Sequence, residues 1–416
     1  MTASRHSVSP SQVSTAFDDP DAMPDVGIVG GSLGGLTAGL LLRELGCRVR
    51  IYERSASELQ ARGAGIAVLR STWRYPVERL GVPADRFSSS TAVIRFLRAD
   101  GSIERELDHP YLFSSWNAIY RVLLEGFERA APGGYALGSN VVDIAEVGDR
   151  VAVTLASGAI SDHDLVVCAD GITSPSRSRL LPNVQPQYSG YIAWRGVIPE
   201  RDLSEATYAR LHDALTYQIL PNSHILVYPI PNVDGAVEPG SRLMNIVWYR
   251  NVEPDRLDEV LTDVNGERRA VSVPPGLAAA DVVAEMRDFA QANLGPAIAE
   301  VVTGIQEPFI QAVYDIDVPQ MAFGRTCLIG DAAFAVRPHA AAGTAKAAED
   351  GWVLAEELAS ADGDVPRALE SWQDRQLDLG RALLERTRRI GASSQFTGGF
   401  TAGDPQLIFG LYGPGN

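Results

Sequence analysis

Short apolar runs separated by a long apolar stretch open the interpretable part of the chain. Val26-Gly27-Ile28-Val29 reads as a buried strand, and Leu36 to Leu45 has the length and composition of a helix. Between them stands Gly30-Gly31-Ser32-Leu33-Gly34-Gly35. A second strand, Val49-Arg50-Ile51-Tyr52, ends on Glu53, 18 residues past Gly35. The pattern predicts a βαβ unit from Asp25 to about Leu69, with Ala64-Gly65-Ile66 as a turn of small residues. Thr91 to Leu107 alternates around Asp100-Gly101 and predicts a hairpin. Residues 119–130 read as a helix, and Val151 to Leu155, followed by Ser157-Gly158, as a strand and turn.

From about Tyr188 to Tyr314 the pattern changes. Ala193 to Ile198, Tyr217 to Leu220, His224 to Ile230 and Arg242 to Tyr249 are β-rich runs broken by Pro, Asn and Gly, which predicts an antiparallel sheet. Ala278 to Asn293 and Ile298 to Gln306 interrupt it as helices. Trp352 to Leu358 and Pro366 to Ile390 are further helices, the latter amphipathic and arginine-rich.

Three segments carry chemistry. The first is the glycine-rich turn between strand and helix, with Glu53 where a ribose-binding acid belongs in a dinucleotide unit. Ser32 replaces the second glycine of GxGxxG but is small enough for a pyrophosphate to approach. The second is Asp164-Leu-Val-Val-Cys-Ala-Asp170-Gly171, an apolar strand that delivers Asp-Gly into a loop containing Ser174 and Arg177. In the third, Cys327-Leu328-Ile329 leads to Gly330-Asp331, and Gly343 precedes the helical Thr344 to Ala348. A carboxylate at a strand end can grip a sugar-like hydroxyl, and a helix N-terminus offers free N–H groups to an electron-rich oxygen.

Composition narrows the rest. The 416 residues are 45% apolar and 21% charged, as in a soluble globular protein of two or three domains. A net charge of −16 argues against a nucleic-acid partner. Lys346 is the sole lysine, which reads as a compositional bias. Cys47, Cys168 and Cys327 lack metal or disulfide spacing and read as buried small residues. No metal site is expected. Residues 1–24 read as a flexible tail, not a signal peptide, and no apolar run approaches the ~18 residues of a membrane span. A cytoplasmic protein without a membrane partner is expected.

In their order and spacing the three segments resemble the single-component FAD-dependent aromatic monooxygenases of the p-hydroxybenzoate hydroxylase type. Ser115 to Tyr120, Tyr188 to Gly196, His224 to Pro231, Trp248 to Asn251, Phe334 and Arg337-Pro338-His339 look like the 2,6-dihydroxypyridine 3-hydroxylase branch. The resemblance implies an α/β (α+β) fold. A Rossmann-like FAD-binding domain with a parallel sheet (residues 25–187 and 315–391) would be interleaved with a mainly antiparallel substrate domain (188–314) and C-terminal helices. Residues 392–416 would form a C-terminal tail. Noncovalent FAD would lie against Gly30, Ser32, Leu33, Gly35, Glu53, Arg54, Arg121, Asp170, Asp331, Pro338, Ala342, Gly343 and Thr344. The family pattern has two glycines in the last loop, where this chain offers Ala340 and Gly343.

The implied reaction consumes NADH or NADPH and O2 and hydroxylates a small hydroxylated aromatic or N-heteroaromatic ring through a flavin C4a-hydroperoxide. Baeyer–Villiger oxygenation, epoxidation and a non-catalytic flavin sensor are the alternatives, and a homodimer is left open. Ring attack favours an ionised substrate hydroxyl, so a base of near-neutral pKa is wanted. His224 and His339 fit that role by position. His6, His109, His163 and His212 sit in tail, turn or surface-like contexts. Trp194, Arg195, Tyr217, Tyr228 and Trp248 are candidate pocket residues.

Overall fold

The computed structural model describes residues 23–59 and 65–416. Residues 1–22, in the expected tail, and Ala64, in the expected small-residue turn, lie outside the described residues. A six-stranded sheet runs in the order Ala322–Phe323, Thr326–Leu328, Leu165–Cys168, Asp25–Val29, Arg48–Tyr52, Tyr135–Ala136. Every pairing is parallel except the outermost hairpin between the first two. Its central strands are apolar without alternation because helices or a second sheet cover both faces. The helices Leu33–Glu44 and Gly343–Ser360 pack together through small residues. A Cβ on Gly351 would lie 3.0 Å from Ala38 Cα, and one on Gly34 would lie 3.1 Å from Ala347 Cβ. This close approach sets two helix N-termini side by side at the carboxyl ends of the parallel strands.

His163 is buried in this domain, contrary to the surface context expected for it. Its Nε2 pairs with the Tyr52 hydroxyl at 2.8 Å and its Nδ1 with Asp25. The strand Ile160–His163 belongs to a small antiparallel sheet with Val141–Val147 and Arg150–Leu155, packed beside the parallel one.

A nine-stranded sheet forms the second layer system. Its order is Ser272–Val273, Phe309–Asp315, Gln187–Pro199, Leu243–Asn251, Ser223–Ile230, Ala214–Leu220, Ser89–Leu97, Ile103–Ser115, Gly65–Ala67. Only Ala214–Leu220 and Ser89–Leu97 pair in parallel. The predicted hairpin therefore belongs to this large sheet, whose edge strand Gly65–Ala67 pairs with Ile103–Ser115. One face of this sheet packs on helices Ala280–Asn293 and Pro296–Gly304, with Trp194, Met244, Ile246 and Trp248 in that core. Strand alternation sends Tyr191, Tyr217, Tyr228 and Tyr249 to the other face, where they cluster with Phe113, Ile390 and Phe400.

The helix Val365–Ala392 ends in a π-turn, Ser393–Thr397. The C-terminal segment beyond it is packed into the molecule and is not the tail expected from sequence. Phe400, Leu407, Phe409 and Leu411 are buried. The Arg386 guanidinium donates to the carbonyls of Ile408 and Gly410, and Gly410 N–H donates to Ala340 O. No helix among the described residues is long and apolar enough to cross a membrane.

Candidate active site

The glycine-rich turn is built by exclusion of side chains. Gly30 has φ +103°, and a Cβ there or on Gly35 would overlap a backbone carbonyl, Ala169 O and Gly30 O respectively. Ser32 caps the first helix with extended backbone, and its hydroxyl makes no cap bond, so the helix start keeps N–H groups for a ligand. Glu53 fastens the turn: Oε2 accepts from Gly31 N–H (3.0 Å) and Oε1 from Ser55 N–H (2.8 Å). Each oxygen retains a lone pair for a hydroxyl. Arg54 beside it is exposed.

Asp170 spends its carboxylate locally, accepting from the Ser174 hydroxyl and from Ser176 N–H (3.0 Å). Arg177, not singled out as a site residue from sequence, ties the two acidic segments together. Fully buried, it donates to Ile172 O (2.8 Å) in one segment and to Ala332 O (3.2 Å) in the other. Burial lowers its pKa, and the charges of Asp170 and Asp331 oppose that shift. Asp331 presents a carboxylate that accepts no hydrogen bond among the described residues and faces the cavity. Behind it, Asp350 accepts from Gly330 N–H (2.7 Å) and from Lys346 Nζ (2.8 Å). The sole lysine, read from sequence as a compositional accident, is thus a buried support of the Gly330-Asp331 turn. Its spacing of four residues from Asp350 on one helix was the available signal.

Pro338, Ala341, Ala342, Gly343 and Thr344 form the next wall. Neither Ala340 nor Gly343 carries the left-handed geometry of this loop; Ala341 does, at φ 51°. A Cβ on Gly343 would meet nothing within 4 Å. The helix that begins there opens on free space. Arg121 stands apart from this wall, exposed and donating to Val233 O (3.2 Å).

One continuous cavity of about 400 Å³ joins Ser32, Leu33, Gly34, Asp331 and the wall from Pro338 to Thr344 to a chamber under the large sheet. Of the expected pocket residues, Arg195, Tyr217 and Tyr228 line it. Trp194 and Trp248 do not: each precedes or adjoins a cavity residue by one position (Arg195, Tyr249), so alternation turns it to the helix-covered face. The Trp248 indole N–H donates to Ser223 Oγ (3.1 Å). The chamber also gains Phe113, Leu226, Val247, Tyr249 and Gln311, and from the C-terminal segment Phe400, Leu407 and Phe409. Strand parity could have found Tyr249 from sequence; nothing local marks the C-terminal three.

His224 and His339 both line the chamber, with ring centroids 5.4 Å apart. His224 Nδ1 bonds Ser394 Oγ (2.5 Å), and Phe400 lies over its face with centroids 4.4 Å apart. His339 Nε2 bonds the Tyr191 hydroxyl (2.8 Å). Burial pushes both imidazoles to low pKa. The neighbouring His339 adds to this effect at His224, and Arg337 adds to it at His339, whose pKa falls to about 3. Both are neutral at physiological pH, which departs from the near-neutral base expected from sequence.

This geometry has known counterparts. A family model described as FAD binding domain-like matches residues 188–315. The 2,6-dihydroxypyridine 3-monooxygenase of Paenarthrobacter nicotinovorans is 34% identical over 388 residues, covering 93% of this chain and 95% of the relative. The chain belongs to the FAD-dependent aromatic monooxygenases of the p-hydroxybenzoate hydroxylase type. The structure of 2,6-dihydroxypyridine-3-hydroxylase from Arthrobacter nicotinovorans superposes on this aromatic monooxygenase with a TM-score of 0.88. The two are 33% identical, with 95% of this chain and 98% of the other covered. Salicylate hydroxylase of Pseudomonas putida is 28% identical, over 84% of this chain and 81% of the relative.

FAD is the cofactor of this monooxygenase, and its residues fit that group. The Ser32-Leu33-Gly34 start of the first helix, an unengaged Asp331 carboxylate and the open start of the Gly343 helix lie along one cavity. Asp331 suits a ribityl hydroxyl, and the helix N-terminus suits negative charge on the ring system.

Proposed function

We propose that this monooxygenase hydroxylates a small hydroxylated aromatic or N-heteroaromatic ring at the expense of NADH or NADPH and O2. One oxygen atom enters the ring and the other leaves as water, with the two electrons supplied by the nicotinamide. FAD supplies the oxygen-activating chemistry when bound. The chain's own residues hold the ring, exclude water and favour its ionised form.

The observation that carries this reading is the single cavity running from Asp331 and Thr344 into a chamber walled by Tyr217, His224, Tyr228, Tyr249 and His339. Such a chamber suits a planar ring bearing hydroxyl groups. That 2,6-dihydroxypyridine and salicylate are named for relatives supports the substrate class. Action in the cytoplasm belongs to the same proposal, on the strength of the sequence alone.

The test is a screen of dihydroxypyridines, hydroxybenzoates and phenols with the FAD-loaded protein. A substrate should stimulate NAD(P)H oxidation and give a product heavier by one oxygen atom at the ring. A lactone or epoxide product would favour Baeyer–Villiger or epoxidising chemistry instead. Slow oxidation that no compound accelerates would favour a sensor.

A further inference from the structure

We propose that the C-terminal segment from Gly398 to Leu411 sizes the chamber for a single aromatic ring, the phenyl groups of Phe400 and Phe409 occupying the room that a second, fused ring would need. This deepens the hydroxylase reading and rests on it for the substrate class.

The large sheet and the FAD-binding segments supply all of the described cavity lining except Phe400, Leu407 and Phe409. These three are buried, and the two phenyl groups meet the rest of the lining ring against ring. Phe400 stacks on His224 with centroids 4.4 Å apart. Phe409 stands edge-on to Phe113 at 6.5 Å, and Phe113 in turn stacks on Tyr228 at 4.2 Å. Phe409 also leans on Tyr111, outside the cavity, at 5.0 Å.

A wall selects by size only if it holds its place. After the π-turn Gly398 reverses the chain at φ +66°, a conformation that a Cβ would strain, and Gly399 N–H returns to Ser393 O (3.1 Å). Further on, the Arg386 guanidinium donates to Ile408 O and Gly410 O, both at 2.8 Å. Phe409 N–H donates to the Tyr111 hydroxyl (2.8 Å) and Gly410 N–H to Ala340 O (3.1 Å). The segment is thereby tied to the long helix, to the strand Ile103–Ser115 and to the loop that leads into the Gly343 helix. All of these bonds use its backbone, so trimming a phenyl group leaves them in place.

An apolar hole left by a truncated core side chain can accept a guest of about the size of benzene. Because Phe400 and Phe409 line the cavity, such a hole would open into the chamber. A benzo-fused compound exceeds its single-ring parent by much the same volume. Phe400→Ala and Phe409→Ala each offer that volume at a different place.

The test pairs single-ring compounds with fused counterparts, phenol with 2-naphthol and salicylate with 3-hydroxy-2-naphthoate, on the FAD-loaded protein. Binding is read from the perturbed flavin absorbance, and turnover from the hydroxylated product. The wild type should bind the single ring at least about tenfold more tightly than its fused partner, and one or both variants should narrow that ratio about tenfold or invert it. Phe396→Ala removes an exposed phenyl of the same C-terminal region that does not line the cavity, and should leave the ratio alone. If Phe400→Ala does not retain FAD, Phe400→Leu and Phe409→Ala decide. A wild type that binds both rings equally, an unchanged ratio in both phenyl variants, or the same gain in Phe396→Ala overturns the proposal. Size selection in binding without any hydroxylated product would sink the hydroxylase reading and leave the wall standing. Hydroxylation without size selection would sink the wall alone, and no binding of any ring would overturn both.

Discussion

Gly391 stands directly against the hydrogen bond between Tyr191 and His339. A Cβ at position 391 would come within 2.7 Å of the Tyr191 hydroxyl and 3.0 Å of His339 Nε2. The long C-terminal helix thus leaves a gap where the pair meets. Gly391→Ala should part the two side chains while the FAD turn, which lies elsewhere, is untouched. The expected outcome is retained flavin absorbance with a roughly tenfold loss of coupled product, about 1.4 kcal/mol, as for one lost hydrogen bond. Full coupling in this variant would mean the pair has no part in substrate binding.

Arg177→Met should loosen the cofactor. It removes the guanidinium that joins Ile172 to Ala332 and leaves both carbonyls without their donor. A charged hydrogen-bond network of this kind contributes about 2 kcal/mol, so FAD affinity should fall roughly thirtyfold. Fluorescence titration of apoprotein with FAD measures it, and an unchanged dissociation constant would show that the two segments hold their positions without this tie.

Trp248→Phe should cost stability and spare the substrate. The indole is fully buried behind the sheet and bonded to Ser223, so its loss should lower unfolding free energy by about 1–3 kcal/mol. Apparent KM for the stimulating compound should stay at the wild-type value, whereas Tyr249→Ala, on the chamber face, should raise it. A shifted KM with Trp248→Phe would contradict the strand parity.

Stability should also depend on pH through His339. Its folded pKa is about 3, below the ordinary value of 6.5. Between those values the unfolded chain binds a proton that the folded chain refuses, so stability is complete above about pH 6.5 and falls as pH drops. The slope for one such group is about 1.4 kcal/mol per pH unit. Urea midpoints of wild type and His339→Gln should converge as pH falls from about 7 to about 4, allowing for the constant loss of the Tyr191 bond. Parallel curves would show that His339 is not held neutral by the fold.

The parallel sheet and its glycine-rich turn were legible because Gly30, Gly35 and Glu53 shape the turn from within local sequence, and Asp331 follows directly on its strand. A turn that overlaps its own backbone unless residues 30 and 35 are glycine is a local constraint, and local constraints leave local patterns. The chamber was half legible. Arg195, Tyr217, Tyr228, His224 and His339 lie on the cavity, but Trp194 and Trp248 were misjudged because aromatic composition marks a strand without saying which face is which. Fixing the parity from Arg195 would have exchanged Trp248 for Tyr249. Phe400, Leu407, Phe409, Ser394 and Arg177 act across hundreds of residues or between distant loops, and no spacing rule reaches that far. Lys346 was visible but unexplained, since its meaning depends on burial against Asp350.

That burial makes Lys346 a built-in reporter. Its side chain is 1% exposed, it is the one lysine in the sequence, and its ammonium is engaged by Asp350 beneath the cofactor wall. Amine-directed reagents such as succinimidyl esters need a free, unprotonated amine, so they are shut out of this position for as long as the Gly343 helix stays docked. Side-chain acylation at a single known address would therefore time the opening of the FAD-binding domain, without any engineered label.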